Sequence, residues 1–355
     1  MTAAVFMAFA ATVPATAQQQ APREGDAVWA YLKSLPAAER LETIKRESAR
    51  EGQLTIYGAI AIERAQILLD LFKKDYPDVK AEFVRLTTTD LPQRITVEFR
   101  AGRTNADAAI ITSDRLEIMS TAVGPYQPTT WDDFDPRFRH GGGDAGWAAI
   151  DYELLVEAIA WRTDRIKSDE APKSLDQLSE PKWKGRTGTV TSLEHLLDSY
   201  TEMYGADAAM EKVKALSALD NRLYPSIAGL SEAVGSGQID LAWGVSAMRA
   251  TRLKKSGAPV DFVYQDPAFG IPDAVMVTKG AKHPYAAAAF MEFLTKAGTL
   301  EELDRREPGM AFGNLKGKYE RPLSSFSHLR IYQPIPAAKY REYNRVIERL
   351  FVRRK

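Results

Sequence analysis

The sequence predicts an α/β fold of two lobes, each a mixed sheet flanked by helices, joined by a two-segment hinge. Three observations support this prediction. The chain has 355 residues, enough for about two domains with separate cores. Strand-like and helix-like segments alternate over residues 54–112, and they alternate again over residues 187–264. Alternation of this kind is typical of a parallel or mixed sheet with helices on its faces.

The first seventeen residues have the pattern of a secretory signal peptide. They carry no charge, and an apolar run ends at Ala15-Thr16-Ala17, a small-residue cleavage pattern that Gln18 follows. We therefore expect a signal peptide over residues 1–17 and an exported protein. Residues 18–50 then form an N-terminal extension, in which the apolar spacing predicts a helix broken near Pro36.

The first lobe is predicted from segments whose apolar residues recur every two residues, as in strands, or with the period of a helix. Residues 51–155 and 268–335 are assigned to this lobe. Residues 125–146 are rich in Pro, Gly and aromatic residues and show no period, so we expect irregular surface chain there. The predicted strands are 54–57, 79–85, 108–112 and 273–278, and the predicted helices are 63–75, 91–100 and 285–297.

The second lobe is assigned to residues 156–267, and the hinge segments are placed near Val156 and Ala268. An exposed amphipathic helix is expected over the charged C-terminal residues 336–355. The strands predicted here are 154–161, 187–190, 239–243 and 260–264, and the helices are 192–204, 208–218, 230–234 and 247–255.

Composition excludes several kinds of function. Lys plus Arg and Asp plus Glu both number 47, so the formal net charge is zero and no basic face for nucleic acid is expected. The absence of cysteine excludes disulfides, thiolate metal sites and cysteine nucleophiles. The four histidines are too widely spaced for two to share a helix face, so we expect no metal and no cofactor. The sequence has no nucleophile elbow, phosphate loop or zinc-protease motif, and we expect no enzyme.

Candidate binding residues follow from a geometry that recurs four times, in which a strand ends in small or hydroxylated residues and turns directly into a helix. Ligands of open α/β sheets bind at the carboxyl ends of the strands, where helix N-termini offer unpaired N–H groups to an anion. Each turn taken alone is also ordinary N-cap chemistry. The aromatic candidates fit a core equally well, and Arg249 also fits a solvated helix face. The candidates are Tyr57, Ala59, Thr88, Thr89, Ser113, Thr191, Ser192, Trp243, Ser246 and Arg249.

Six stretches of the chain, taken in order, match the pattern of one family. They are Glu51-Gly52-Gln53-Leu54-Thr55-Ile56-Tyr57, Phe72-Lys73-Lys74-Asp75-Tyr76-Pro77, Glu98-Phe99-Arg100-Ala101-Gly102, Pro181-Lys182-Trp183-Lys184-Gly185-Arg186, Gly237-Gln238-Ile239-Asp240 and Lys279-Gly280-Ala281-Lys282-His283-Pro284. With these stretches the chain resembles the extracellular solute-binding proteins of ABC importers, which have the type 2 periplasmic binding fold, and most of all the subgroup named for periplasmic ferric-iron binding. The resemblance implies a ligand held between two lobes and delivered to a permease of the inner membrane.

The sequence departs from that subgroup at the metal ligands. Ferric-binding members use an adjacent tyrosine pair in the second lobe, often with a histidine after the first strand. The matching stretches here read Trp243-Gly244-Val245-Ser246-Ala247-Met248-Arg249 and Tyr57-Gly58-Ala59-Ile60-Ala61. Fe³⁺ prefers hard oxygen ligands, so this set fits bare iron poorly. The turn Thr191-Ser192 matches the position where iron binders coordinate a synergistic anion.

The sequence therefore predicts a monomeric periplasmic binding component of an ABC importer that captures a small anionic solute between its lobes. Three alternatives stay open. One is a ferric-iron or iron-anion binding protein of the same family, and another is an enzyme on the same scaffold. The third is a binding protein that docks to a sensor kinase instead of a permease.

Overall fold

The computed structural model describes residues 21–352, so the predicted signal peptide lies outside the described part of the chain. The strands in chain order are β1 (Gln53–Gly58), β2 (Lys80–Arg85), β3 (Ala108–Thr112), β4 (Arg139–Gly141), β5 (Ala148–Arg162), β6 (Thr187–Val190), β7 (Arg222–Tyr224), β8 (Leu241–Ser246), β9 (Val260–Tyr264), β10 (Ala268–Val277), β11 (Met310–Ala311) and β12 (Leu329–Ile331).

The helices surround these strands. Within residues 21–352, none of them combines the length and the apolar character that a membrane span requires. The α-helices in chain order are α1 (Gly25–Ser34), α2 (Ala37–Glu51), α3 (Ile62–Asp75), α4 (Asp90–Arg100), α5 (Leu116–Met119), α6 (Leu175–Leu178), α7 (Glu194–Tyr204), α8 (Ala206–Ser217), α9 (Ile227–Ser236), α10 (Ala247–Lys255), α11 (Pro284–Thr295), α12 (Ala297–Arg306) and α13 (Ala337–Ile347).

The sheet is mixed, and its main path follows the order β2-β1-β3-β10-β5-β8-β6-β7. Strand β1 pairs in parallel with β2 and β3, and β6 pairs in parallel with β7 and β8. Strand β10 runs antiparallel to β3 and β5, and β5 runs antiparallel to β8. The two parallel halves are therefore joined by antiparallel strands at the centre, as expected for the predicted two-lobe α/β fold.

Strand β5 belongs to both halves of the molecule. Residues up to Val156 pair with β10, and residues from Glu157 onward pair with β8 and β9. The side chains follow the same division, because Leu154 and Val156 lie in one hydrophobic cluster whereas Ala158 and Trp161 lie in another. The change falls at the predicted hinge position near Val156. The domain boundaries given above stay predictions.

The helical extension covers the first cluster. Helices α1 and α2 are separated at Pro36, and Val28, Leu32 and Ile44 are fully buried against α11 and its neighbours. The carboxylate of Glu51, at the end of α2, accepts hydrogen bonds from the backbone N–H groups of Tyr285 and Ala286. The extension thus caps the start of α11 as well as covering its apolar face.

Two predicted surface segments are more buried than the sequence indicated. Residues 125–146 are largely irregular, as predicted, but Tyr126, Phe134 and Phe138 are buried in the first cluster. The C-terminal helix α13 buries Tyr343 and Ile347 in the second cluster. The irregular chain and the tail are therefore parts of the two cores, because large apolar side chains lose contact with water only by packing inward.

A group of ion pairs also joins the two halves of the molecule. Glu307 follows α12 and forms ion pairs with Arg64 of α3 and with Arg252 of α10, while Arg64 also binds Glu153 of β5 with 3.0 Å between Nε and Oε1. Two residues later, Gly309 has φ +108°, and a Cβ atom there would lie 2.6 Å from the backbone nitrogen of Met248. Only glycine permits this approach between the loop after α12 and the start of α10.

Candidate functional site

A cleft of about 1100 Å³ lies where the two halves face each other. Its walls come from the turns after β2 and β3, from strand β5, from the starts of α7 and α9, and from the chain leading into α13. Both halves of the sheet therefore contribute, and the carboxyl ends of several strands meet at this place, as expected for a ligand site in an α/β protein.

Three of the sequence-predicted residues line the cleft, namely Thr88, Ser192 and Trp243. Thr88 lies in the turn before α4, and Ser192 lies two residues before α7. The Trp243 side chain is buried, and its Nε1–H donates to Asn221 Oδ1 at 2.8 Å, which fixes the indole ring. Three of the four predicted strand-to-helix turns thus reach the cleft.

The remaining predicted turn, which follows β1, does not line the cleft. The Tyr57 hydroxyl donates to Glu98 Oε1 at 3.0 Å, and Arg94 lies over its ring, so this side chain packs between β1 and α4. Ala59 packs against the same cluster, and its N–H donates to the carbonyl of Ile110. Alternation along the strand explains the result, because Tyr57 points to the helix-covered face of the sheet.

The other predicted residues lie beside the cleft lining and not in it. Thr89 is exposed at the start of α4, and Ser113 is buried below the turn after β3. Thr191 is exposed, with its N–H donating to the Tyr224 carbonyl, and Ser246 is buried at the end of β8. Arg249 is half-buried on α10, away from the residues that line the cleft.

Sequence reasoning missed the carboxylate of Glu157, which lines the cleft from the middle of β5. It accepts hydrogen bonds from the Tyr332 hydroxyl at 3.1 Å and from Gln265 Nε2 at 3.2 Å. Both donors are neutral, and burial raises the pKa of Glu157 to about 7. The signal in the sequence is a single acidic residue inside the apolar run 154–161.

Sequence reasoning also missed residues 332–341, which we call the strap. The strap leaves β12, follows the cleft wall and continues into α13. The Tyr332 ring stacks on His195 with 5.0 Å between the ring centroids, and Tyr340 also lines the cleft. Its two prolines, Pro334 and Pro336, are typical of an extended segment, but they do not indicate where that segment runs.

The start of α7 brings two titratable residues to the wall. Glu194 is only 4% exposed, and its Oε2 atom is buried and makes no hydrogen bond among the described residues. Burial raises the pKa of Glu194, and burial lowers the pKa of His195. His195 lies near Asp114 and Arg115, and Glu194 lies near Tyr340.

Two arginines stand at the rim. Arg115 lies 3.1 Å from Asp114, and its side chain is 43% exposed. Arg341 is exposed in the second turn of α13 and has no carboxylate partner within residues 21–352. Ser226 caps α9 nearby, with its side chain accepting from the Gly229 N–H. These groups suit an anion at the mouth of the cleft.

Among the described residues, no group of three or more His, Asp and Glu side chains is arranged to hold a metal ion. The phenol of Tyr332 is already bonded to Glu157, and burial, together with that carboxylate, raises the pKa of Tyr332 well above its ordinary value. Deprotonation of Tyr332 to the phenolate that would bind iron is therefore unfavourable.

Known proteins share the sequence pattern and the fold of this chain. The family of bacterial extracellular solute-binding proteins matches it over residues 56–300. No curated protein sequence matches the chain. Iron-bound HitA from Pseudomonas aeruginosa is similar in structure, with a TM-score of 0.70 at 20% identity, covering 83% of this chain and 99% of HitA.

Two further proteins of similar structure were solved with, or are named for, other ligands. AfuA from Actinobacillus pleuropneumoniae, with fructose 6-phosphate bound, has a TM-score of 0.64 at 18% identity, covering 84% of this chain and 97% of AfuA. The spermidine/putrescine-binding PotD from Streptococcus pneumoniae has a TM-score of 0.66 at 16% identity, covering 84% of this chain and 98% of PotD. The shared architecture thus accommodates a metal, a sugar phosphate and polyamines.

Proposed function

Because this chain belongs to the family of bacterial extracellular solute-binding proteins, the solute-binding components of ABC transporters, we propose that its cleft captures a small organic anion for import. The observation that carries the proposal is a cleft lined from both halves, with Thr88, Ser192 and Ser226 at helix starts and, at the rim, Arg341, which pairs with no carboxylate of residues 21–352. Helix N-termini and a guanidinium are the groups that proteins use for phosphate and carboxylate.

Binding and closure are coupled in this proposal. A solute that touches both walls stabilises the arrangement in which the walls are close, because only that arrangement provides both sets of contacts. Strand β5 crosses between the halves at Glu157, and a rotation there changes the width of the cleft. The closed form is then the species that the permease recognises.

Export to the periplasm is part of the proposal. The support is the leader-like pattern of residues 1–17, together with membership of a family of extracellular proteins. Expression of the full chain with a tag at its C-terminus, followed by periplasmic extraction and mass measurement, would identify the cleavage point. Recovery of the uncut chain from the cytoplasm would contradict export.

The function is tested on purified protein by native mass spectrometry followed by unfolding and identification of the released compound. A phosphate, phosphonate, sulfonate or carboxylate among the released compounds supports the proposal. Thermal unfolding with added anions gives a second measure, because a ligand at 100 times its dissociation constant adds about 2.7 kcal/mol of stability. Release of a compound without an anionic group would overturn it.

Ferric iron is the rival ligand, since HitA of similar fold was solved with iron bound. The unfolding series therefore includes Fe³⁺ with and without citrate. Stabilisation by Fe³⁺ alone, with the appearance of a visible phenolate charge-transfer band, would favour iron over an organic anion. Consumption of the released compound by the protein would instead indicate an enzyme.

A further inference from the structure

We propose that the floor of the cleft holds a positively charged group, so that the captured solute is a zwitterion with its ammonium end inward and its anionic end at the rim. This inference rests on the proposed function and specifies the class of solute. It is drawn from the charges of the cleft and from how deeply each charge is buried.

The most buried charged side chain of the cleft lining is a carboxylate. Glu194 is 4% exposed, and Glu157 lies half-buried on the central strand β5, bonded to Tyr332. Arg115 is half-buried and pairs with Asp114, whereas Arg341 and Glu117 are exposed. Among the described lining residues, the floor therefore carries carboxylates and no guanidinium group, and the rim carries charges of both signs. At a pH above about 7, where Glu157 is ionised, an anion at the floor would meet like charge in a region that water screens poorly.

Neither floor carboxylate has a cationic partner within the described residues. Glu157 accepts only from a phenol and an amide. Glu194 leaves its buried Oε2 atom without any hydrogen bond, although the residue lines the cleft. A buried acceptor without a donor costs free energy that a bound donor recovers. An ammonium group has three N–H donors and no acceptor, which matches this need.

Aromatic rings complete the floor. Trp243 lines the cleft with a ring fixed by its bond to Asn221, and Tyr332 and Tyr340 lie on the strap. The Tyr332 ring is stacked against His195 and Phe269, so Tyr340, which is exposed, is the ring that can offer its face to an ammonium ion. Carboxylates and aromatic rings together favour an organic cation over a hydrated metal ion, whose oxygen ligands would need a denser cluster than the described residues provide.

The test uses five four-carbon probes in thermal unfolding of the full protein, namely butanoate, butylammonium, 4-aminobutanoate, succinate and 1,4-diaminobutane, each at about 50 mM so that weak binding is visible. We expect 4-aminobutanoate to raise the melting temperature most. In E157Q and E194Q its affinity should fall about tenfold each, while the affinity for butanoate should stay the same or increase, because the repelling charge is gone.

A matched control is E232Q, which removes an exposed carboxylate on α9 outside the cleft and should leave all affinities unchanged. If succinate binds better than 4-aminobutanoate, the zwitterion inference fails while the anion proposal stands. If 1,4-diaminobutane binds best, the proposed anion fails and the floor assignment stands. If no probe raises the melting temperature, or if E157Q and E194Q bind 4-aminobutanoate as the wild type does, the inference is overturned.

Discussion

At the scale of the single residue, Arg341 offers the cleft a guanidinium that binds no carboxylate within residues 21–352. We predict that R341A weakens binding of the anionic solute about tenfold, as for the loss of one charge-assisted hydrogen bond. Isothermal titration with the solute released from the purified protein measures this. The comparison variant is R249A, because Arg249 is the arginine that the sequence favoured. An equal loss in R249A would return Arg249 to the site.

Glu157 gives a prediction about pH. Its pKa of about 7 lies above the value near 4.3 of an exposed glutamate, because burial penalises the charged form. Between about pH 4 and about pH 7 the folded state therefore holds a proton that the unfolded state releases. The stability that this residue contributes falls as the pH rises through that range. Its neighbours Tyr332, Gln265 and Tyr200 are neutral there and supply no compensating charge.

Chemical unfolding of E157Q and the wild type checks this at about pH 5 and about pH 8. We expect the free energy of unfolding of E157Q, minus that of the wild type, to be larger at about pH 8 than at about pH 5, so that E157Q is relatively more stable at the higher pH. A difference that does not change with pH would show that Glu157 titrates at its ordinary value in the folded protein.

At the scale of the element, the extension α1–α2 stabilises the first core through buried leucine and isoleucine. Leu32 is fully buried, whereas its neighbour Lys33 is exposed. We predict that L32A lowers the free energy of unfolding by about 2–5 kcal/mol, through lost burial and a cavity, and that K33A changes it by less than about 0.5 kcal/mol. Denaturant titration measures both. Equal small effects would mean that the extension does not contribute to the core.

Helices and strands with a clear hydrophobic period could be predicted from the sequence. The pairing of strands between the two halves and the burial of the C-terminal tail could not. Strands β6 and β9 and helix α10 have the predicted bounds. Strand β8 continues to Ser246 past the predicted end at residue 243, because Gly244 adopts φ +73° and the pairing with β5 is irregular there. A local pattern contains no information about such pairing.

The same limit applies to the cleft. Thr88, Ser192 and Trp243 could be predicted, since each lies at the end of a strand, where the fold class places ligands. Tyr332 and Tyr340 could not, because they reach the cleft only through the path of the strap after β12. Contacts between residues far apart in the chain are set by packing, which the periodicity of a segment does not record.

At the scale of the whole molecule, Gly309 lies close to the Met248 backbone beside the ion pairs of Glu307, where the two halves meet. Gly309→Ala would place a methyl group within 2.6 Å of the Met248 backbone, so we predict a more open ligand-free protein and a several-fold weaker apparent affinity. Small-angle scattering measures the radius of gyration. Gly298→Ala is the control, because an added methyl group there meets nothing within 4 Å.

For G309A, a radius equal to that of the wild type, with unchanged affinity, would mean that the loop yields locally. For G298A, we expect an unchanged radius and equal or slightly higher stability, since alanine is favoured over glycine inside α12. A change of radius in both variants would point to a general effect of the substitutions, and the contact at Gly309 would then have no special part in closure.

The continuity of β5 has a practical consequence. Because one continuous strand belongs to both halves of the sheet, the angle between the halves is the quantity that a bound solute would change under the proposed closure. Dyes attached at Lys80 of β2 and at Lys214 of α8, two exposed positions in different halves, would convert that angle into energy transfer. The protein is thus a scaffold for an optical sensor, whose signal could be read in a mixture before the chemical identity of the guest is known.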